Sequence, residues 1–287
     1  MKADLHMHSV FSDGTDEVPA IVAKAKAAGL SLMSLTDHDT VKGVGLALKE
    51  GEKQGIKVLP GIEISTYAIC EVHILGYNID INNDRLLTRL AEIEDKRHER
   101  IKAILTNLKK YNIELDEEKI FDRIGTVGRM HIAKQLLAKG YCQTITEAFD
   151  RYLGERGIAY VPSKRITPLE GVKLIKAAGG LAVVAHPLIF CQKGKLDDLI
   201  GGLKTYGLDG LEVYYPTHTL DDTAKLYDLA KKNRLIATGG TDYHGLNKKG
   251  VEPGDVDYVP DRFALEKFGL IKRERRNDGY GRGRNGR

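Results

Sequence analysis

The chain has 287 residues, which suffices for one large α/β domain or for one domain with an insertion. Its hydrophobic and charged contents, 42% and 29%, are ordinary for a soluble globular protein, and no apolar stretch approaches the ~18 residues of a membrane span. The net charge of +4 depends on the C-terminal end, where seven Lys and Arg residues at 272–287 face only Glu274 and Asp278, so the rest of the chain carries no general basic field.

Segments with a strand pattern alternate with segments that have a helix pattern. We predict strands at 3–7, 31–35, 57–64, 71–77, 180–185, 210–214 and 235–238. We predict helices between most of them, at 18–28, 41–54, 169–178, 196–206 and 221–232. Glycine follows several of these helices, as in Ala28-Gly29 and Ala178-Gly179, which is typical of helix ends. The alternation predicts a mostly parallel sheet, and seven repeats favour closure into a barrel.

One region, 78–156, lacks a strand pattern and has a helical one. A hydrophobic stripe along a long helix comprises Leu86, Leu90, Ile93, Ile101, Ile104 and Leu108, and shorter helices are predicted at 116–124, 129–139 and 144–153. The charged run 95–100 on the long helix is expected to be a solvated face. We therefore predict a barrel from 1–77 and 157–271, an all-helical insertion at 78–156 that caps the substrate site, and a basic, disordered tail at 272–287.

Histidines and acidic residues recur where predicted strands end. They include His6, His8, Asp37, His38, Glu63, His186, Asp242 and His244. In a parallel barrel the carboxyl ends of all strands meet at one rim, so we expect these side chains to be neighbours. His73 lies within its predicted strand, and Asp13 lies in a turn-like Ser12-Asp13-Gly14 segment. Imidazole and carboxylate together are the ligands of divalent transition metals, so the pattern predicts a multinuclear metal centre.

Each segment taken alone also fits a structural role. A buried, hydrogen-bonded histidine would explain either His6 or His38, and His186 before Pro187 has the composition of a turn. The shared position at strand ends favours the metal interpretation, because unrelated polar residues have no reason to collect there in register.

The series of motifs resembles the PHP (polymerase and histidinol phosphatase) superfamily over about 1–77 and 160–250. The resemblance implies an α/β fold, a distorted seven-stranded β/α (TIM-like) barrel, with a trinuclear metal site. The implied metal ligands are His6, His8, Asp13, His38, Glu63, His73, His186, Asp242 and His244. Glu63 would bridge two ions, and Asp13 stands where some members have histidine. We expect three divalent ions, with Mn²⁺ favoured and Fe or Zn as alternatives that mixed histidine and carboxylate ligands also suit.

Within that superfamily the chain is similar to stand-alone phosphoesterases that act on nucleoside 3′,5′-bisphosphates and short RNA 5′ ends. The similarity rests on Gly128-Arg129-Met130-His131 and on the segment 214–218 after the sixth strand. Arg129 and His131 lie at a predicted helix start, where backbone N–H groups favour an anion, and arginine can bind phosphate with two hydrogen bonds. His218 is a further candidate for substrate binding, as is Lys164 or its neighbour Arg165. Solvated surface roles are the alternative for each of these residues.

The expected reaction is hydrolysis of a phosphate ester by a metal-activated hydroxide. Asp37 and Asp39, which flank His38, are the catalytic candidates that orient this ligand or relay a proton. We expect removal of the 3′-phosphate from a nucleoside 3′,5′-bisphosphate. The alternatives are a 5′–3′ exoribonuclease on short 5′-phosphorylated RNA, a histidinol-phosphate phosphatase, and a non-catalytic, metal-stabilised module that binds RNA.

The cellular setting is predicted from cysteines and the N-terminus. Cys70, Cys142 and Cys191 are odd in number and widely spaced, which argues against a disulfide framework. The first residues lack the pattern of a signal peptide, so we expect a cytoplasmic protein. The expected partner is a small phosphorylated nucleotide, with short RNA as an alternative. We expect neither membrane association nor an obligate protein partner.

Overall fold

The computed structural model describes residues 1–68, 70–122, 124–190 and 193–272, and within them seven strands form one sheet in chain order. The strands are β1 (Ala3–Asp4), β2 (Leu32–Leu35), β3 (Lys57–Tyr67), β4 (Glu71–Tyr77), β5 (Leu181–Val184), β6 (Leu208–Tyr214) and β7 (Ile236–Gly239). The Leu5 amide donates to the Gly239 carbonyl at 3.1 Å, and Met7 pairs with Tyr243 in a parallel bridge. The first and last strands therefore meet, and the predicted seven-stranded β/α barrel is confirmed as a nearly closed one.

One strand runs against the others. β4 is antiparallel to both β3 and β5, whereas the remaining pairs are parallel. The cause is the connection between Tyr67 and Glu71, which is three residues long and too short for the crossover that parallel strands need. The reversal places His73 beside Ser65 in the register of the sheet. His73, near the start of its strand, thus lies at the rim where the parallel strands end.

The helices follow the predicted order. They are α1 (Val18–Ala27), α2 (Val44–Gln54), α3 (Asp84–Lys109), α4 (Glu117–Phe121), α5 (Arg129–Ala138), α6 (Ile145–Ala148), α7 (Pro168–Ala177), α8 (Pro187–Phe190), α9 (Lys193–Lys204), α10 (Leu220–Asn233) and α11 (Arg262–Lys267). A π-helical turn, Phe149–Leu153, follows α6, and a 3₁₀ turn, Gly245–Asn247, follows β7. At the start of α7, Thr167 and Glu170 cap each other and Pro168 takes the first helical position, as the sequence predicts.

The long helix α3 joins two hydrophobic clusters. Near its start, Leu86 and Leu90 pack with the barrel residues around Ile175. Near its end, Ile104 packs in a separate cluster that includes Ile132 of α5. Because α3 is 26 residues long and buried at both ends, it holds the helices that follow it over one side of the barrel.

No helix in the described part of the chain is both long and apolar enough to cross a membrane. Of the predicted tail at 272–287, only Lys272 lies within the described residues, and the rest of the tail lies outside them.

Candidate metal centre and adjoining pocket

Four buried or nearly buried side chains converge, two from the segment after β1, one from within β3 and one from the segment after β7. These are His6, His8, Glu63 and Asp242, which we call the central cluster. His6 Nε2 lies 3.3 Å from both Glu63 Oε2 and Asp242 Oδ1, and His8 Nε2 lies 3.2 Å from the same two oxygens. Two imidazole nitrogens and two carboxylate oxygens therefore point toward one small volume.

Two further groups of donor atoms share members with the central cluster. The outer cluster comprises His8, Asp13, His38 and His244, and the third cluster comprises His38, Glu63 and His73. In each group the donor atoms lie within 4.8 Å of one another. His186 lies beside them, with Nε2 at 3.0 Å from Glu63 Oε1. The structure thus brings together all nine side chains that the sequence predicts as metal ligands.

The donor atoms of the central cluster fit a cation better than they fit each other. When the His6 ring is neutral, Nδ1 donates to Glu212 Oε1 at 3.0 Å, and Nε2 then presents a lone pair to the oxygens of Glu63 and Asp242. Among the residues that the structure describes, His6 Nε2, His8 Nε2 and Glu63 Oε2 have no hydrogen-bond partner. Buried lone pairs that face one another repel, and a divalent ion bound by them removes that cost.

The charges in these clusters are strongly coupled. Burial opposes protonation of His6, but Glu212, Glu63 and Asp242 outweigh it and raise the pKa of His6 well above its ordinary value. Burial likewise opposes protonation of His73, while Glu63 and Glu71 raise its pKa to about 9. A ligand must lose its proton to bind metal, so ions and protons compete for these sites.

The backbone is strained where these residues follow their strands. His186, Asp242 and Asp39 have φ of +25°, +53° and +54°, in the left-handed region that residues other than glycine rarely adopt. Such conformations cost of order 1–3 kcal/mol each and persist only where the surroundings impose them. Three of the six non-glycine residues with positive φ in the described part of the chain therefore lie at this one rim.

Asp37 and Asp39, the predicted catalytic residues, are held by hydrogen bonds. Asp37 accepts from the Ser9 amide and hydroxyl, both at 2.7 Å, and from the Ser12 hydroxyl at 2.6 Å. Asp39 accepts from the Ser65 amide at 2.8 Å and forms an ion pair with Arg97 of α3. Asp37 therefore fixes the segment that carries His8 and Asp13. Asp39 connects the barrel rim to α3 through its ion pair with Arg97.

The sequence interpretation missed Glu212, which lies in β6 and is fully buried. Its carboxylate accepts from His6 Nδ1 and, at 2.7 Å, from the His186 amide. It thereby fixes the ring orientation and tautomer of His6, as carboxylates commonly do behind a metal-bound histidine. A signal was present, because Glu212 is the one carboxylate in the otherwise apolar run 210–214, where it needs a buried partner.

A cavity of about 170 Å³ adjoins the outer and third clusters, beneath α3 and α5. Asp13, His38 and His73 line it on the barrel side. Four arginines line it elsewhere, and we call it the arginine cavity: Arg97, Arg100, Arg129 and Arg165. Of these the sequence singles out Arg129 and, as the alternative to Lys164, Arg165, and it places Arg97 and Arg100 on a face expected to be solvated.

The arginine cavity carries uncompensated positive charge. Arg97 pairs with Asp39 and Arg165 pairs with Glu71, but the Arg100 and Arg129 guanidiniums donate to the backbone carbonyls of Val161 and Leu153, at 2.9 and 3.3 Å. Burial and the neighbouring arginines lower the pKa of Arg100 to about 10. Burial and the nearby Arg165 likewise lower the pKa of Arg129. Cations that crowd together while half-buried favour the binding of an anion, and arginine is well suited to phosphate.

The other predicted substrate-binding residues lie in different surroundings. His131 lines the arginine cavity, and its Nδ1 accepts from the Gly128 amide at 3.0 Å at the start of α5. Lys164 is exposed at a smaller cleft next to Arg97 and Arg165. His218 lies after β6, where Nδ1 donates to the Val213 carbonyl at 2.8 Å and the ring lies 5.3 Å from Tyr215.

Comparison with known proteins confirms the predicted resemblance. The family model of the PHP domain matches residues 4–160. The chain is 34% identical over 259 residues to a phosphoribosyl 1,2-cyclic phosphate 1,2-diphosphodiesterase from Eggerthella lenta, covering 85% of this chain and 95% of the relative. It is 34% identical over 247 residues to a 5′-3′ exoribonuclease from Haemophilus influenzae, covering 85% and 90%. It is 30% identical over 262 residues to a 3′,5′-nucleoside bisphosphate phosphatase from Chromobacterium violaceum, covering 90% and 92%.

Solved structures share the fold along almost the whole chain. An amidohydrolase from Chromobacterium violaceum, with bound sulfate and no metal, has a TM-score of 0.84 at 28% identity and covers 94% of this chain and 96% of its own. A protein from Bifidobacterium adolescentis assigned to the metal-dependent phosphoesterases has a TM-score of 0.82 at 28% identity, covering 93% and 95%.

Proposed function

Since the chain belongs to the PHP domain family and is a metal-dependent phosphoesterase, we propose that it hydrolyses the 3′-phosphate of nucleoside 3′,5′-bisphosphates. The observation that carries this proposal is the arginine cavity directly beside the histidine and carboxylate clusters. A substrate with two phosphates can place one at each region. The clusters would take the phosphate that is hydrolysed, and the arginines would take the one that is retained.

The size of the arginine cavity supports a small substrate. Its volume of about 170 Å³ is below the ~300–1,000 Å³ of pockets that enclose a whole ligand, so it suits a phosphate group rather than several nucleotides. Two relatives carry names with the same chemistry, a nucleoside bisphosphate and a phosphoribosyl cyclic phosphate. Each of these compounds combines a ribose with a second phosphate.

We further propose that three divalent ions, with Mn²⁺ favoured, bind to the nine predicted ligands. The three donor groups support this number, and Glu63 would be the bridging ligand, because it belongs to two of them and its carboxylate has two oxygens. When bound, such ions supply a water of lowered pKa and neutralise charge on the phosphoryl oxygens.

The side chains of this chain have separate tasks in the proposed reaction. Arg100 and Arg129 hold the retained 5′-phosphate and thereby orient the ribose. Asp37 and Asp39 act as positioning residues, since their oxygens already accept from Ser9, Ser12, Ser65 and Arg97. In the net reaction the oxygen of water bonds to phosphorus, the bond to the ribose 3′ oxygen breaks, and that oxygen takes up a proton. The products are a nucleoside 5′-phosphate and inorganic phosphate.

A second candidate is 5′–3′ exoribonuclease activity, which the Haemophilus influenzae relative favours. It would use the same clusters and the same arginine cavity for a 5′-phosphate. It also needs a groove that holds further nucleotides along their backbone.

A panel of substrates with added Mn²⁺ tests the proposal. The panel contains a nucleoside 3′,5′-bisphosphate, phosphoribosyl 1,2-cyclic phosphate, 5′-phosphorylated oligoribonucleotides, histidinol phosphate and an aryl phosphate. We expect the highest kcat/KM on the bisphosphate, with nucleoside 5′-phosphate as the product. A higher kcat/KM on any other member would replace the proposed substrate, and inactivity on all of them would favour the RNA-binding module.

A further inference from the structure

The two carboxylate oxygens of Asp242 face different surroundings. Oδ1 lies within the central cluster, 3.3 Å from His6 Nε2 and 3.2 Å from His8 Nε2. Oδ2 accepts a hydrogen bond from the Tyr215 hydroxyl at 2.8 Å and another from Lys248 Nζ at 2.9 Å. One oxygen is therefore directed at the proposed ions, and the other is held by two donors outside the cluster.

Lys248 has no donor left for a substrate. It directly follows the 3₁₀ turn Gly245–Asn247, and besides Asp242 its Nζ donates to the Tyr215 hydroxyl at 2.8 Å and to the Thr241 carbonyl at 3.2 Å. An ammonium has three donors, and these three contacts use them all. Lys248 Nζ also lies 4.6 Å from the centre of the Tyr215 ring, a favourable position for a cation.

Tyr215 is itself fixed against the clusters. Its ring packs edge-on against His186 at 5.6 Å, and its hydroxyl both accepts from Lys248 and donates to Asp242. Lys248, Tyr215 and Asp242 thus form a closed triangle of hydrogen bonds. These hydrogen bonds hold the side chain of Asp242, whose backbone has a strained φ of +53°.

We infer that Lys248 and Tyr215 form a clamp that holds Asp242 as a ligand through Oδ1 alone. This positioning role rests on the metal centre proposed above. Without the clamp the carboxylate can rotate and present either oxygen or both. Losing a group that orients a metal ligand typically weakens metal binding ~10–100-fold.

The charge of Lys248 acts in the opposite direction to its hydrogen bonds. A cation next to the site repels a metal ion, so removal of the charge alone would tighten binding. Replacing Lys248 with methionine removes both effects, whereas Tyr215→Phe removes the two hydrogen bonds of the hydroxyl and no charge. The direction of the change in Lys248→Met therefore distinguishes a clamp from a mere neighbouring charge.

The test measures Mn²⁺ binding to the purified protein by calorimetry and by the signal of free Mn²⁺ in electron paramagnetic resonance. Lys249→Met is the matched control, because Lys249 is the adjacent, exposed lysine and the charge change is identical. We expect Lys248→Met and Tyr215→Phe each to weaken Mn²⁺ binding about tenfold or more, and Lys249→Met to leave it unchanged. Thermal unfolding in the presence of a chelator shows whether each variant folds. If Lys248→Met does not fold, Tyr215→Phe alone provides the test.

Tighter or unchanged Mn²⁺ binding in the two clamp variants would overturn the inference, as would an equal loss in Lys249→Met. The readout is independent of turnover. If the unaltered protein binds Mn²⁺ but hydrolyses none of the panel, the proposed substrate fails and the clamp can still be measured. If it binds no Mn²⁺, the metal centre and the clamp fail together.

Discussion

The metal-ligand clusters and the arginine cavity lie side by side but are built in different ways. The clusters stand at the rim of the barrel, the central cluster is more buried than the outer one, and the His6 ring is oriented by its hydrogen bond to the Glu212 carboxylate. The arginine cavity is assembled from α3, α5 and the segment before α7, and its guanidiniums are only partly buried. In the proposed reaction the barrel rim thus carries the metal ligands, and a helical region held by packing binds the retained phosphate.

The two regions also differ in what their charges require. The clusters concentrate carboxylates and imidazoles, and in the absence of an ion the neighbouring carboxylates raise the pKa of His6 and His73. In the cavity, Arg100 and Arg129 have no carboxylate partner among the described residues. Bound cations would balance the charge of the clusters, and a bound anion would balance the charge of the arginine cavity. A phosphate ester with a second phosphate satisfies both, which links the geometry to the proposed substrate.

Glu63→Gln should give the largest effect. The substitution keeps the shape of the side chain but removes the charge shared by the central and third clusters. We expect a loss of kcat of ~10³-fold or more, since bound metal supplies several kcal/mol of transition-state stabilisation. Turnover of the bisphosphate and metal content per chain measure it. If the clusters and the cavity are independent, Glu63→Gln leaves sulfate binding to the arginines unchanged. A loss of sulfate binding would show that the clusters and the cavity depend on each other.

The second prediction separates the regions by pH. The pKa of His73 rises from an ordinary 6.5 to about 9, so its contribution to stability is complete below 6.5 and is lost as the pH rises through 9. The metal-free protein should therefore unfold at lower temperature at pH 9 than at pH 6.5. Because Mn²⁺ displaces the proton, its affinity should increase over the same range, about tenfold per pH unit for each proton released.

The affinity for sulfate should change much less with pH than the affinity for Mn²⁺. Sulfate keeps its charge over this range, and the arginines keep most of theirs, since the pKa of Arg100 is about 10. Calorimetric titrations with each ion give the comparison. A sulfate affinity that changes as much as the Mn²⁺ affinity would show that the arginines and the histidines titrate together.

The strand ends were predictable because the signals are local. The spacing of His6 and His8 is that of neighbours on one face of an extended chain, and the barrel then brings the segments together. The same expectation for Asp242 and His244 is wrong in detail, because the chain turns through a left-handed φ of +53° at Asp242. His73 was not predicted as a strand-end residue, because no local sequence pattern indicates that β4 is antiparallel to its neighbours. Its place at the rim follows only from the short connection between β3 and β4.

The arginine cavity was only partly predictable. Arg129 stands in a recognisable segment at a helix start, but Arg97 and Arg100 belong to a charged run that looks like any solvated helix face. They face a cavity because α3 is packed at both ends, against the barrel and against α5. Such long-range packing leaves no pattern in the sequence near these residues. The signal at Glu212 was local and was overlooked.

Arg100→Met tests the cavity directly. We expect KM for the bisphosphate to rise about tenfold with little change in kcat, since a hydrogen bond to a charged group contributes ~1.5–3 kcal/mol and the binding is uniform along the reaction. Arg85→Met is the matched control, because Arg85 is an exposed arginine on the same helix. Initial rates over a range of substrate concentrations separate the two constants. An equal fall in kcat would assign Arg100 to the chemistry instead.

The smallest effect is expected from the tail. Deleting 272–287 removes a strongly basic segment but none of the residues that form the clusters or the cavity. Hydrolysis of the bisphosphate should therefore stay within about twofold, because a small substrate held by contacts with the clusters and the cavity gains little from other charges that salt screens. Rates measured at low and high salt, on the bisphosphate and on a 5′-phosphorylated oligoribonucleotide, give the comparison. A loss confined to the oligoribonucleotide and to low salt would assign the tail to RNA binding, and a loss on both substrates would make it part of the site.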